Sequence, residues 1–195
     1  MKLIIAFAAL LLSFSSIAQD KPEGLFINSK AYDFKGKDQS GVEVNLKDLR
    51  KKGPVVVIFY RGNWCPYCNK ELTRLQDSLE LITQKGASVV AITPEASEGI
   101  SKTIEKTKAV FPIIYDEEMK IAKAYKVAYE VDERSASRYK SFGTDLLAIN
   151  QQKLKPQLPV PAVYIVNRDG AITYRYFDED YKKRPAIKDI LAQLK

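Results

Sequence analysis

The clearest pattern along the chain is a continuous apolar run. Pro54–Val55–Val56–Val57–Ile58–Phe59–Tyr60 shows no polar alternation, which predicts a strand buried on both faces. Arg61–Gly62–Asn63 breaks the run, and Leu72, Leu75, Leu79 and Ile82 then recur at steps of three and four. That spacing predicts an amphipathic helix starting near Pro66, a residue tolerated at the first helical position, and ending at Gly86. Ala87 to Thr93 predicts a second buried strand, residues 97–109 a helix, Val110 to Tyr115 a third strand, and Asp116 to Tyr125 a short helix. Upstream, residues 31–49 read as a short hairpin leading into a turn. There Lys37–Asp38–Gln39–Ser40–Gly41 is rich in turn formers, and Val42, Val44 and Leu46 alternate with polar residues. Ala162 to Val166 and Ala171 to Tyr176 read as strands joined at Asp169–Gly170, a strong hairpin signal, and Pro185 to Leu194 as the closing helix. Residues 126–157 are polar and irregular, with helical turns only around 145–152, and read as an insertion within one domain. The order β-α-β-α-β-α, hairpin, α predicts an α/β fold with a central mixed sheet and helices on both faces.

The first twenty residues follow a different logic. Met1–Lys2 gives a positive start, Leu3 to Phe14 is apolar with only Ser13 interrupting, and Ser16–Ile17–Ala18 supplies small residues where a signal peptidase reads. The expectation is a secretory signal peptide over residues 1–18, a single domain over 19–195, and an exported protein, periplasmic or secreted. The alternative, a membrane anchor, meets a run too short to span, since a transmembrane helix needs roughly 20 apolar residues. No cysteine follows the run, so a lipoprotein anchor is excluded. Disulfides persist outside the cytoplasm.

Composition narrows the chemistry. The formal charge is +7, but the basic residues are scattered, with Arg50–Lys51–Lys52 and Lys182–Lys183–Arg184 the only runs. This reads as a solvated surface, without the basic stripe and interleaved aromatics that a nucleic acid would need. Histidine is absent and there are two cysteines. A Cys–His nucleophile pair, a His-containing zinc or copper site and a Cys-rich metal site within one chain are therefore all excluded, and no metal or cofactor is expected.

The two cysteines fall at the strand-to-helix junction, in Trp64–Cys65–Pro66–Tyr67–Cys68. Thiols three residues apart on the first turn of a helix can close a small disulfide. Cys65 would sit at the helix N-terminus, where unpaired N–H groups and the dipole stabilise a thiolate. Such cysteines titrate at about 3.5–7.5, against about 8.5 for a free cysteine. Cys68, one turn further in and less exposed, would attack a mixed disulfide on Cys65 and release the partner. Two other readings stand beside this one: a structural disulfide, although so short a loop constrains little chain entropy, and half of a zinc site shared across a dimer. A second element supports redox work. Pro161 directly precedes the strand at Ala162. A strand-initiating trans proline is the default there, but in thioredoxin-like folds a cis-proline at this place packs against the Cys-x-x-Cys, so a cis Val160–Pro161 bond is expected.

The stretch Tyr60 to Leu72 resembles the active-site segment of peroxiredoxin-like proteins of the alkyl hydroperoxide reductase/thiol-specific antioxidant (AhpC/TSA) group. Phe111 to Asp116 with Ala122 to Tyr125, and Leu158 to Gly170, resemble its third strand and helix and its fourth strand and hairpin. The resemblance covers nearly all of residues 30–195. It implies a thioredoxin fold with an N-terminal hairpin extension and an insertion before the fourth core strand. Cys–Pro–Tyr–Cys is also the glutaredoxin active-site sequence, in much shorter proteins.

The chain departs from the group's pattern at specific positions. Peroxiredoxins place a Thr or Ser three residues before the reactive cysteine and a Pro four before that, where this chain has Gly62 and Ile58. They also place an Arg near Pro161. Thioredoxins carry a buried Asp where this chain has Phe59. The departures favour a thiol–disulfide oxidoreductase acting on protein or small-molecule disulfides and thiols. The alternative is a peroxidase in which a sulfenic acid on Cys65 condenses with Cys68. A third reading is a non-catalytic binding module that uses residues 126–157 as its surface. Its disulfide would have a potential below about −300 mV. Arg61, four residues before Cys65, either stabilises the thiolate or orients a peroxide, or else is a solvated strand-end arginine. Trp64 and Tyr67 form an apolar rim that either docks partners or shields the disulfide.

Overall fold

The computed structural model describes residues 21–194; the expected signal peptide lies outside them. Strands β1 (Lys35–Lys37) and β2 (Glu43–Asn45) form an antiparallel hairpin. It feeds helix α1 (Leu46–Lys52), which Asn45 caps by accepting the Lys47 N–H at 2.9 Å. Next come β3 (Val55–Phe59), α2 (Pro66–Asp77), α3 (Leu79–Gln84), β4 (Ser88–Thr93), α4 (Ser97–Thr107) and β5 (Ile113–Tyr115). A 3-10 turn (Glu117–Met119) runs into α5 (Lys120–Ala124). The remaining elements are β6 (Ala128–Glu130), α6 (Glu133–Ser141), α7 (Leu146–Ile149), β7 (Gln157–Pro159), β8 (Ala162–Val166), β9 (Ile172–Phe177) and α8 (Ile187–Gln193).

Five strands form the central sheet in the order β5-β4-β3-β8-β9. The β3–β4 and β4–β5 pairs are parallel, and β3–β8 and β8–β9 are antiparallel. The apolar run is the centre of this sheet. Because strand side chains alternate, Val55, Val57 and Phe59 face one core with Leu46, Ile121 and Tyr125, and Val56 and Ile58 face another with Leu72, Leu75, Ile82, Ile100 and Ile190. Helices therefore cover both faces, as expected. Leu72 and Leu75 are fully buried, and each such side chain contributes about 1.5–3 kcal/mol of hydrophobic stabilisation.

Several local expectations need correction. The long helix is two, broken at Ser78. Its backbone (φ −104°, ψ 6°) closes α2 and opens α3, and Ile82 still lies in the core. Serine competes with helical backbone bonding and favours such termini. Helix α1 has no apolar pattern to announce it, because its seven residues carry only one buried side chain, Leu46. The third strand starts at Ile113: Val110 is exposed, and its N–H goes to the Gln76 side chain at 2.8 Å. Residues 126–157 are more ordered than their polarity suggests. Strands β6 and β7 pair antiparallel, and α6 is capped by Asp132. No peptide bond among the described residues is cis, so Val160–Pro161 is trans, contrary to expectation. The Val160 N–H is already taken by Val127 O at 2.8 Å and Pro159 pairs with Ala128, so the chain runs from β7 into β8 in the isomer that an X–Pro bond ordinarily prefers.

Asp116 holds the turn after β5. Its two carboxylate oxygens accept the N–H groups of Ile121 and Ala122, both at 2.8 Å, at the start of α5. Burial pushes its pKa up to about 6, against the pull of these donors. Replacing Asp116 with Ala orphans two buried donors, and a loss of roughly 1–3 kcal/mol is expected. Urea unfolding checks this; an unchanged midpoint would show that water or backbone satisfies those groups equally well.

Candidate active site

The cysteine pair sits where the central strand hands over to α2. Tyr60 extends the ladder beyond β3 through its N–H to Ile92 O (3.0 Å), and the chain then turns through Gly62. Cys65 is the N-cap of α2 and Pro66 occupies the first turn. The Cys65 sulfur accepts the Cys68 N–H at 3.3 Å, and the two cysteines are joined as a disulfide. Cys65 keeps 2% of its surface exposed and Cys68 none. A helix N-terminal N–H aimed at Sγ favours the thiolate of Cys65 once the bond is reduced.

Asn63 and Glu95 fix the approach to Cys65. Buried Glu95, on the loop after β4, accepts the Asn63 backbone N–H at 2.6 Å and its Nδ2 at 2.7 Å. Burial raises the Glu95 pKa, while the Asn63 donors and then Lys106 and Lys102 pull it down. The Asn63 carbonyl accepts from Asn69 Nδ2 (2.8 Å) and from Lys106 Nζ (2.9 Å), which ties the loop to α2 and α4. Gly62 has φ +152° and no room for a side chain. A Cβ there would lie 2.5 Å from Trp64 Nε1 and 2.6 Å from the Glu95 carboxyl carbon. Glu95 carries no signal in the sequence, since nothing local marks it as the partner of a loop some thirty residues earlier.

Arg61 is neither solvated nor bonded to a cysteine. It is 1% exposed, which overturns the strand-end reading. Its guanidinium lies 4.3 Å from the Tyr181 ring centroid, 4.8 Å from Trp64 and 5.4 Å from Tyr139, and donates to Tyr139 Oη. Such desolvated cation–π contacts are worth roughly 2 kcal/mol. Tyr67, 39% exposed, packs edge-on against Tyr181, and Trp64 packs on Tyr139. The two expected rim residues therefore lie at opposite ends of one aromatic chain with Arg61 at its centre. Tyr139 comes from α6, and Trp64 packs against the small core of Val131, Leu146 and Leu158. The insertion is thus docked on the active-site loop. Pro161 is buried and precedes Ala162, which pairs with Phe59, so it stands at the same end of the sheet as the cysteine loop.

On the inner side, Arg184 reaches in from the segment after β9. Its Nη2 lies 3.4 Å from the Cys68 sulfur and its Nε 2.6 Å from Glu71 Oε2. The pair is buried, with side-chain exposures of 7% and 6%. Desolvation pushes the Glu71 pKa up to about 7, against the attraction of Arg184 and, more weakly, Arg74. Neither residue is marked by the sequence: Glu71 resembles any polar helix position, and Arg184 belongs to a run that reads as solvated. Among the described residues no group of three His, Cys, Asp or Glu gathers to hold a metal. An open cleft of about 890 Å³ lined by Glu118, Lys123, Glu130 and Gln157 includes none of these site residues.

The AhpC/TSA family profile matches residues 27–175. The chain is 30% identical over 140 residues to the chloroplastic peroxiredoxin Q of Sedum lineare, covering 72% of this chain and 62% of that protein, less than two thirds of its length. It is 22% identical over 163 residues to the thiol–disulfide oxidoreductase ResA of Bacillus cereus, covering 83% of this chain and 76% of that one. Among solved structures, the peroxidoxin BcpB of Mycobacterium tuberculosis superposes with a TM-score of 0.66 at 20% identity, covering 86% of this chain and 95% of that one. The thioredoxin domain of a thiol–disulfide oxidoreductase from Bacteroides vulgatus gives 0.59 at 19% identity, covering 88% and 99%. These likenesses span both peroxide-type and disulfide-type redox enzymes on one thioredoxin-like sheet, and the profile match over most of its length shows that the chain belongs to the AhpC/TSA family.

Proposed function

We propose that this chain is a thiol–disulfide oxidoreductase in which Cys65 is the nucleophile and Cys68 the resolving thiol, rather than a fast peroxidase. One observation carries the reading. The position three residues before Cys65 is filled, because the Glu95 carboxyl and Trp64 occupy the space that a hydroxyl-bearing side chain at 62 would need. The group that would hold a peroxide there is missing, and so is its room. The helix terminus still activates Cys65, and Cys68 lies within bonding distance to complete a two-electron cycle.

In that cycle the Cys65 thiolate attacks a partner disulfide, one partner thiolate leaves, and a mixed disulfide forms on Cys65. Cys68 then attacks Cys65 Sγ, closes the Cys65–Cys68 bond and releases the second partner thiolate. The partner disulfide gains two electrons and the protein dithiol loses them; the reverse sequence oxidises a partner dithiol. Action outside the cytoplasm is part of the proposal, supported by the pattern of residues 1–18 alone.

Trp64 is the sole tryptophan and neighbours Cys65, so stopped-flow fluorescence of the reduced protein reports oxidation, with Cys65→Ser as control. Hydrogen peroxide is expected to react no faster than with a free thiol at the same pH, and a small disulfide far faster. A peroxide rate well above the free-thiol value would overturn the assignment in favour of a peroxidase.

The same fluorophore tests the role of the insertion. With Tyr139→Ala, Trp64 loses its ring partner; a red-shifted emission, faster reduction of the disulfide by dithiothreitol and a stability loss of roughly 0.5–1.5 kcal/mol are expected. If emission and reduction rate both stay as in the parent, α6 does not shield the site.

A further inference from the structure

The charge of Arg61 is buried without a counter-charge. The residue is 1% exposed, and the rings around its guanidinium are neutral: Tyr181 at 4.3 Å, Trp64 at 4.8 Å and Tyr139 at 5.4 Å to the ring centroids. The buried carboxylate beside Gly62, Glu95, is taken up by Asn63 at 2.6 and 2.7 Å, with Lys106 and Lys102 as its cations. Arg61 Nη2 donates to Tyr139 Oη, but Nε makes no hydrogen bond among the described residues. Trp64 Nε1, on the same turn, is a second buried N–H without an acceptor. Ring faces return part of the cost of burying a cation but leave both N–H groups unpaired. A buried cation beside unpaired donors is costly unless an anion joins it in function.

We propose that Arg61 and Trp64 form a carboxylate subsite next to Cys65, and that the preferred substrate is a small disulfide carrying a carboxylate close to its sulfur. This deepens the disulfide-exchange reading and rests on it. A carboxylate offers about four lone-pair sites on its oxygens, so it accepts N–H groups from the guanidinium and the indole together, and charge-assisted bonds of this kind are the strong ones. Trp64 directly precedes Cys65, so a carboxylate held there brings the neighbouring substrate sulfur to the nucleophile. The Cys65 thiolate attacks that sulfur, the substrate S–S bond breaks, and one carboxylate-bearing thiolate leaves with the electron pair. Cys68 then attacks Cys65 Sγ and displaces the second, so the substrate gains two electrons and the protein dithiol loses them.

The surroundings favour a small substrate over a protein one. Cys65 keeps only 2% of its surface exposed. Helix α6 of the insertion brings Tyr139 against Trp64 on one side, and the loop after β9 brings Tyr181 against Tyr67 on the other. Tyr181 is the most exposed member of the cage, at 37%, and its ring lies over the guanidinium. Rotation of this one side chain uncovers Arg61, and exposed side chains change rotamer in ps–ns. Lys70 and Lys182, exposed cations on the same stretches of chain as Tyr67 and Tyr181, attract any anion through their field. Their effect is separable from that of the buried subsite.

Disulfides of matched length and different charge provide the test: bis(2-carboxyethyl), bis(2-hydroxyethyl) and bis(2-aminoethyl) disulfide. Each is mixed with the reduced protein, Trp64 emission follows oxidation, and the rate is divided by that of 2-mercaptoethanol with the same disulfide at the same pH. After this correction the carboxylate is expected to outrun the neutral disulfide by about tenfold or more, with the amine slowest. In Arg61→Met, its fold checked by circular dichroism, the carboxylate-to-neutral ratio should fall to near one, and Arg61→Lys should recover part of it. Loss of a charge that only stabilised the thiolate would slow all the disulfides alike and leave the ratio as it was. The double variant Lys70→Gln/Lys182→Gln should keep the ratio. Tyr181→Ala opens the cage with the charge in place, and there the ratio should rise; this variant decides the matter if Arg61→Met does not fold. A ratio near one in the parent, or one that survives Arg61→Met, falls in Tyr181→Ala or vanishes with the two lysines, would overturn the subsite. A preference confined to disulfide-linked peptides with Asp rather than Asn beside the cysteine would overturn the small substrate in favour of a protein. If no disulfide reacts faster with the protein than with 2-mercaptoethanol, the exchange reading itself fails.

Discussion

The pair of hydrogen bonds from Asn63 to the buried carboxylate of Glu95 is the constraint on which the site depends. A loop between a central strand and a helix N-terminus has no ladder of its own, so its backbone needs a partner. Glu95 supplies one at 2.6 and 2.7 Å. Burial raises the pKa of this carboxyl, and these donors, with Lys106 beyond them, offset only part of that cost by favouring its charged form. Other features follow from the same contact. Position 62 must lack a side chain, Trp64 is held against the loop, and Cys65 is presented as the N-cap at the end of the sheet.

Two buried arginines flank the cysteines and are handled by different physics. Arg61 has no carboxylate partner among the described residues; its charge is spread over the faces of Trp64, Tyr139 and Tyr181. Arg184 is paired with Glu71 and touches sulfur. Arg61 is thus held without an anion beside it, whereas Arg184 is held by a buried carboxyl whose pKa burial pushes up to about 7.

Much of this fold was legible because its strongest signals are local. The run Val55–Phe59 could only be a doubly covered strand, and Cys65–Pro66 at its exit could only open a helix. The spacing of Leu72, Leu75 and Ile82 located the covering face without showing the break at Ser78, since all three side chains still pack into one core across it. What was hidden lies at long range. Glu71 and Arg184 are 113 positions apart, and Arg61 and Tyr139 are 78 apart. Their spacing in sequence carries no periodicity, so burial and partnership emerge only from the tertiary arrangement. The polar composition of residues 126–157 misled for a related reason. Its strands are three residues each and its core is three buried side chains, so apolar patterning never accumulates into a signal.

The same contrast separates the scaffold from the site built on it. The sheet, the helix terminus and the outer cysteine are set by the backbone and core, which tolerate wide sequence change. The volume beside the outer cysteine is instead set by a few side chains: here a carboxylate and an indole close it around Gly62 and leave no room for a side chain at that position. Cys68 is placed one helical turn from Cys65, so the disulfide closes within the first turn of α2.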